Sequence, residues 1–287
     1  DGSADTFTVV LNSEPTADVT IDLTSSDTTE GTVSPAQVTF TNANWNTAQT
    51  VTVTGVDDAL VDGSIAYTVV TAAAVSADAN YSGMDAADVS GTNNDNDAVG
   101  VTVTPVGTLL TTEAGGTATF TLVLNSQPTA DVTISLTASD PTEATTAPSP
   151  LVFTSVNWNS AQTVTVTGVD DPNADGNQDS QVTFSVSSAD AAYNGLSIPV
   201  VLVTTVDDDT AGVSVSPASF TASAGFSGSY QIGLLTPPSD GNPISVLVTF
   251  DAAELTVNGG SVPFLLTFSD TTPQTIPFTV LSNPANN

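Results

Sequence analysis

Apart from four tyrosines, every ionisable side chain of this 287-residue chain is a carboxylate: it carries 31 Asp and Glu and no Lys, Arg, His or Cys. The chemistry open to it is that of carboxylates, amides, hydroxyls and backbone. A nucleophilic Ser or Thr would need a base beside it, and general acid–base catalysis would have to rest on carboxylates of tuned pKa. Glycoside hydrolysis uses one such pair held roughly 5–9.5 Å apart, whereas the acids here are many and crowded into loop-like sequence. The expectation is therefore a protein that is not an enzyme. With no cation to meet a phosphate, binding to nucleic acid or to anionic lipid is excluded electrostatically. The partners that suit such a surface are cations.

The formal net charge of −31 repels itself, yet a hydrophobic content of 39% is that of a chain with a core. Bound divalent ions reconcile the two. The absence of Cys removes disulfides, and the absence of Lys removes Lys–Asn crosslinks, so metal is the staple that remains. Calcium fits best: it takes about 6–8 oxygen ligands at roughly 2.3–2.6 Å from irregular loops, whereas Mg²⁺ demands a strict octahedron and zinc or copper would want His or Cys. The ligands expected in residues 98–209 are Glu113, Asp140, Asp170, Asp171, Asp175, Asp207 and Asp209. Those expected in residues 1–97 are Asp27, Asp57, Asp58, Asp95 and Asp97, with Asp62 as an addition.

These positions follow from the elements that must hold them. Residues 6–21 recur almost unchanged as residues 119–134, an offset of 113 that becomes 112 near Tyr81 and Tyr193. A third unit opens at Gly212, echoing Gly100, and then diverges. Units of ~110 residues, made of short Val-, Thr-, Ile- and Phe-rich runs separated by Gly, Pro, Asn and Asp, with no helical periodicity, read as tandem antiparallel β-sandwiches of immunoglobulin-like order. Seven strands are expected in the second unit, near 99–104, 117–124, 131–138, 150–154, 161–168, 180–187 and 198–206. Phe120, Leu122 and Leu124 alternate with Thr119, Thr121 and Val123, so the first set should face a core. Trp45 and Trp158 are expected to plug their cores from the D–E connections.

Strands that run alternately up and down bring the A–B, C–D and E–F loops and the end of strand G to one pole. Ten of the second unit's twelve acids fall there, and only Asp131 and Asp190 fall elsewhere. The same pole carries the short links at Asn94–Asp97 and Asp207–Asp209 into the following unit. Ions held there would tie each domain to its successor.

The run from Thr112 and Glu113 to Leu124, the Val169–Asp171 segment and the closing Val206–Asp209 resemble the Calx-beta domain, a likeness that covers about residues 1–209. The resemblance implies an immunoglobulin-like sandwich with calcium in the A–B, E–F and terminal loops, and similar tandem arrays occur in large bacterial surface and adhesin-type proteins. The expected organisation is a Calx-beta-like sandwich lacking its first strand at 1–97, a complete one at 98–209, and a divergent or truncated unit at 210–287. The A–B glutamate of the first unit would lie just before residue 1, and both ends read as cut. The third unit has Ser223 at the place of Glu113 and only Asp240, Asp251, Glu254 and Asp270 as acids, so it is expected to bind no calcium.

The function expected is a calcium-stiffened extracellular stalk or repeat segment of a bacterial surface adhesin or filament, whose partners are calcium ions and neighbouring domains of the same chain. Two alternatives stand beside it: a filament subunit that pairs strands with identical chains, and a calcium-dependent carbohydrate-binding module using Trp45, Trp158, Tyr81 and Tyr193. No apolar run approaches the ~20 residues of a membrane-spanning helix, so direct membrane insertion is not expected.

Overall fold

A computed structural model describes residues 2–238 and 242–281; Asp240 lies outside the described residues. The protein is all-β. Val, Ile and Thr crowd their side chains at Cβ and suit a pleated surface better than a helix. The described residues form 23 strands, and none of them lies in a helix long and apolar enough to cross a membrane.

The first repeat contributes β1 (Ala4–Val9), β2 (Val19–Ser25), β3 (Gly31–Ser34), β4 (Gln37–Phe40), β5 (Gln49–Gly55), β6 (Ile65–Thr71), β7 (Val75–Ser76) and β8 (Val89–Asn93). The second contributes β9 (Val101–Thr104), β10 (Leu109–Thr112), β11 (Thr117–Leu124), β12 (Val132–Ala138), β13 (Ala144–Ala147), β14 (Leu151–Phe153), β15 (Gln162–Gly168), β16 (Gln178–Ser188) and β17 (Val201–Val206). The last stretch holds β18 (Val213–Ser216), β19 (Ser227–Leu234), β20 (Ile244–Val248), β21 (Leu255–Val257), β22 (Phe264–Phe268) and β23 (Gln274–Val280).

The second sandwich faces a sheet of order β10-β17-β16-β12-β14 against one of order β13-β15-β11-β9. Phe120, Leu122 and Leu124 of β11 point between the sheets onto Val132, Ile134, Phe153 and Val164, while Trp158 packs against the same core from outside. Each such side chain removed from water contributes about 1.5–3 kcal/mol. The first sandwich repeats this arrangement with β1-β5-β3 against β4-β2-β6-β8, and Trp45 lies against its core. A third core gathers Ile232, Leu234, Phe268, Ile276 and Phe278 between β18-β19-β23-β21 and the β20-β22 pair.

The second sandwich has nine strands rather than the seven expected. The first expected strand continues after a break: Pro105 has no N–H to give, Gly107 turns at φ 130°, and the chain crosses to the other sheet as β10, parallel to β17. The extra β13 is the short run Ala144–Ala147, which leaves β12 to pair with β15 in the opposite sheet.

Backbone closure at one end of the sandwich aligns four strand ends. Leu109–Thr112 runs in register with Val203–Val206, and the Glu113 amide extends the ladder by donating to Val206 O at 3.1 Å. Across the gap, Gly168 N donates to Gly116 O (2.9 Å) and Val169 N to Glu143 O (2.9 Å). Gly168 permits this approach, because a Cβ there would sit 2.2 Å from Thr112 O, which is backbone. Gly168→Ala should therefore push β10 off its partners, destabilising the second sandwich by about 1–3 kcal/mol. Urea unfolding followed by Trp158 fluorescence in a Trp45→Phe background measures the change.

Candidate metal centre

The turn after β12 shows how local sequence aims an acid inward. Asp140 Oδ1 accepts from both Thr142 N (3.0 Å) and Thr142 Oγ1 (2.6 Å), and Asp140 O accepts from Ala144 N (3.1 Å). Asp140 is thus spent on building the turn, and the Thr142 hydroxyl and then its amide hold its carboxyl below the usual range. Glu143, three residues on, is the group delivered to the interior, and it is 9% exposed. Asp27 and Glu30 repeat the pattern in the first sandwich, with Thr29 donating to Asp27 Oδ1 from its amide and hydroxyl.

Two groups of acids form at the same end of the second sandwich. Glu113, Asp207 and Asp209 bring carboxylate oxygens within 4.8 Å of one another, and so do Glu143, Asp171 and Asp175. Two oxygens bound to one calcium at roughly 2.3–2.6 Å can lie no more than about 5 Å apart, so each trio has the spacing of a shared ion. A third trio, Glu30, Asp58 and Asp62, occupies the corresponding place in the first sandwich.

Glu113 is 1% exposed. One oxygen of each inward glutamate, Glu113 Oε2 and Glu143 Oε2, is buried without any hydrogen-bond partner. Buried polar oxygens are nearly always satisfied, and a chain devoid of Lys, Arg and His has no cation of its own to offer them. Desolvation, then the charges of Asp207, Asp171, Glu143 and Asp175, pushes the Glu113 carboxyl up to about 7. Desolvation and then Asp175, Asp140, Asp171 and Asp207 raise Glu143 in the same direction. These reciprocal influences join the two trios into one acidic centre.

Backbone donors fix the remaining carboxylates. Asp207 Oδ2 accepts from Gly176 N at 2.6 Å and Oδ1 from Asp209 N at 2.8 Å. Asn173 N holds Asp171 Oδ1 at 2.7 Å. Gly176 sits at φ 80°, a conformation natural to glycine, which lets the loop after β15 reach Asp207. Asp170 stays exposed beside the trios. With Asp208, Asp207 and Asp171 it adds charge that raises Asp209, second to desolvation.

In the first sandwich Asp95 is fastened in the same manner, by Gly63 N (2.9 Å) and Asp97 N (2.8 Å). Desolvation, then Asp95, Asp57 and Asp58, raises Asp97. Of the five acids expected there, Asp58 enters a trio, as does the added Asp62. Of all the expected ligands, Asp27, Asp57, Asp95, Asp97, Asp140 and Asp170 fall outside every trio, whereas Glu30 and Glu143, which were not expected, enter one each. Their signal was the repeat itself, which places a glutamate three residues after each turn-building aspartate.

No protein-family model matches the chain, and no curated protein matches it. Solved structures give weak likenesses. The CBD12 crystal structure from CALX1.2 is 12% identical over 66% of this chain and 76% of its own, with a TM-score of 0.32. The apo-form Calx CBD1 domain is 16% identical over 38% and 96%, with a TM-score of 0.31. Domains 1–6 of the surface layer protein SbsC are 15% identical over 91% of this chain and 32% of theirs, with a TM-score of 0.32.

The metal-free centre has a defined pH response. A group whose folded pKa lies above its unfolded value holds extra proton in the folded state, so stability falls as pH rises between the two. For Glu113 that interval runs from 4.5 to about 7. The lowered carboxyls of Asp27 and Asp140 act only as pH falls below 3.8. In chelator, the urea midpoint of the second sandwich should drop between about pH 5 and pH 7.5, and Glu113→Gln should flatten that drop. Saturating calcium should reverse its sign, because the ion competes with the proton for the same oxygens.

Proposed function

We propose that the chain is a non-catalytic, calcium-stiffened structural module of an extracellular stalk or surface filament. The observation that carries this reading is the pair of buried, unpartnered glutamate oxygens, Glu113 Oε2 and Glu143 Oε2, each set within a trio of carboxylates. Glu113, Asp207 and Asp209 would hold one ion and Glu143, Asp171 and Asp175 a second; the ion supplies positive charge and accepts oxygen ligands there.

The location gives the ions a mechanical role. Asp95 is pinned to the first sandwich through Gly63, while Val99 already packs against the second core and Gly100 O accepts from Asn125 N at 2.9 Å. The free link is reduced to residues 96–98. Across it, Gln127 N in the second sandwich donates to Ala59 O in the first at 2.7 Å. Ala59 directly follows Asp57 and Asp58, so an ion that draws those acids toward Asp95 and Asp97 would fix the loop that makes this contact.

The carbohydrate reading loses its platforms. Tyr81 and Tyr193 are buried, and Tyr193 OH donates to Ser126 O at 2.7 Å while accepting from Ser126 N at 3.2 Å. Trp45 and Trp158 pack against the cores.

Calcium at about 100 times its dissociation constant adds about 2.7 kcal/mol per site, or about 10–20 °C in Tm for a unit of ~100 residues. Thermal unfolding should show a rise of that order in the second sandwich, and small-angle scattering should show a longer, stiffer particle in calcium than in chelator. Asp171→Asn with Asp207→Asn should remove the rise in Tm, and Asp95→Asn with Asp97→Asn the change in scattering. An unchanged Tm and scattering profile in wild-type protein would sink the proposal.

A further inference from the structure

Two stretches of the second sandwich carry no acid, residues 98–112 and 191–206. The fold lays them side by side: β10 pairs with β17 in parallel, Leu109 against Val203 and Leu110 against Thr204. On the outer face of that pair Leu110 is 66% exposed and Leu202 49% exposed, and Val200 and Val106 are exposed as well. Val200 and Leu202 stand where the first repeat has Asp88 and Ser90, so the apolar face belongs to this sandwich and not to the repeat. Along the row of Leu110 and Thr204 the first acid is Asp179, two strands in, where it accepts from Thr204 Oγ1 at 2.6 Å.

β10 is also the end strand of its described five-stranded sheet. In a parallel ladder the N–H and C=O of one residue turn to the same neighbour, and those of the next residue turn away. Glu113 N donates to Val206 O, so the backbone of Leu109 and Thr111 also faces β17, while the N–H and C=O of Leu110 face the open edge.

We propose that this edge is a self-association surface, at which β10 of one copy of the chain pairs antiparallel with β10 of a second copy across a two-fold axis at Leu110. Three features select a second copy. The first is self-complementarity, since a strand matches its own edge when it pairs antiparallel about a two-fold axis. The second is register. Side chains directly opposite in such a pair lie on one face, so the outward Leu110 must meet an outward residue. Opposite its own copy it does, Leu109 then faces Thr111 on the inner side, and Leu110 forms a hydrogen-bonded pair that uses both of its edge-facing backbone groups. Leu202 and Leu110 of one copy continue into Leu110 and Leu202 of the other as a diagonal apolar stripe. The third is charge. Two chains of net charge −31 repel wherever their acids meet, and here the acid-free stretches of each face the other. A cationic partner would be drawn to the acidic end of the sandwich instead.

The chain has no cysteine, which allows a direct test of the axis. Residues opposite in a hydrogen-bonded pair have Cα atoms about 5.5 Å apart, within the span of a disulfide. Leu110→Cys, oxidised in the whole chain, should crosslink into dimers about tenfold faster or more than Val156→Cys, in the exposed loop between β14 and β15. Sedimentation velocity of the unaltered chain should show a monomer–dimer equilibrium that moves toward dimer as salt screens the repulsion, and hydrogen exchange should show the Leu110 amide newly protected in the dimer. Leu110→Glu, which sets a carboxylate opposite its own copy, should return the chain to monomer with its circular dichroism unchanged. Monomer at every concentration and salt, crosslinking through Leu110→Cys no faster than through Val156→Cys, or a dimer that survives Leu110→Glu would overturn the proposal. A monomer that takes up an unrelated neutral peptide as an added strand along β10 would overturn it too, assigning the edge to a foreign partner.

Discussion

Two glutamates buried at one end of a sandwich, in a chain with no positive side chain, are the constraint around which the rest is arranged. An ionised carboxylate taken out of water costs several kcal/mol unless something positive or a set of donors meets it. Neither Glu113 Oε2 nor Glu143 Oε2 has a donor. At low pH a proton relieves the cost, which is why both groups hold theirs to higher pH than usual. As pH rises through about 7 the proton leaves Glu113 and that relief is lost. The backbone contributes to this arrangement as much as the acids do, since β10 is carried across to the opposite sheet and its ladder ends by placing Glu113 beside Asp207.

The fold was legible where apolar and polar residues alternate. Phe120, Leu122 and Leu124 announced β11, and the observed strand is Thr117–Leu124. The signal failed for β13, Ala144–Ala147, because two threonines and two alanines show no contrast between faces. It failed for β10 because a strand broken by Pro105 and Gly107 reads as the end of an element rather than as a change of sheet. The general location of the acidic centre followed from strand alternation alone. Which acid of each loop turns inward did not: Asp140 and Glu143 sit in one turn, and the choice is made by the Thr142 hydrogen bonds, which consume the aspartate and leave the glutamate pointing in.

The third core shows the same residue types put to other use. Asp251 Oδ1 accepts from Ala253 N at 2.8 Å, and Asp270 Oδ1 accepts from Thr272 N at 2.8 Å. These aspartates build turns as Asp140 does. Ser223 stands where the second unit has Glu113, and among the described residues of this unit no trio of acids forms. Rings reinforce it instead: the exposed Phe220 stacks on the buried Phe278 at 4.3 Å, and the exposed Phe226 tilts against Phe278 at 6.1 Å. Aromatic packing depends on neither pH nor ions, so the chain combines two modes of cohesion with different sensitivities.

The junction between the first two sandwiches shows why charge is placed where flexibility would otherwise be. Like charges at Asp57, Asp58, Asp95 and Asp97 oppose one another across the loop and the link, and after desolvation they are what raises the Asp97 carboxyl. Without a counterion this repulsion favours any movement that separates the link from the loop, and the Gln127–Ala59 hydrogen bond, worth about 1 kcal/mol net, is all that the described backbone sets against it. A divalent cation bound there, as proposed above, would change the sign of the same interaction: each acid that had pushed the link away would then pull it in. On the calcium reading proposed above, the stiffness of the joint would follow the free ion concentration rather than the size of the contact, and a joint held mainly by packed apolar side chains could not be tuned in that way.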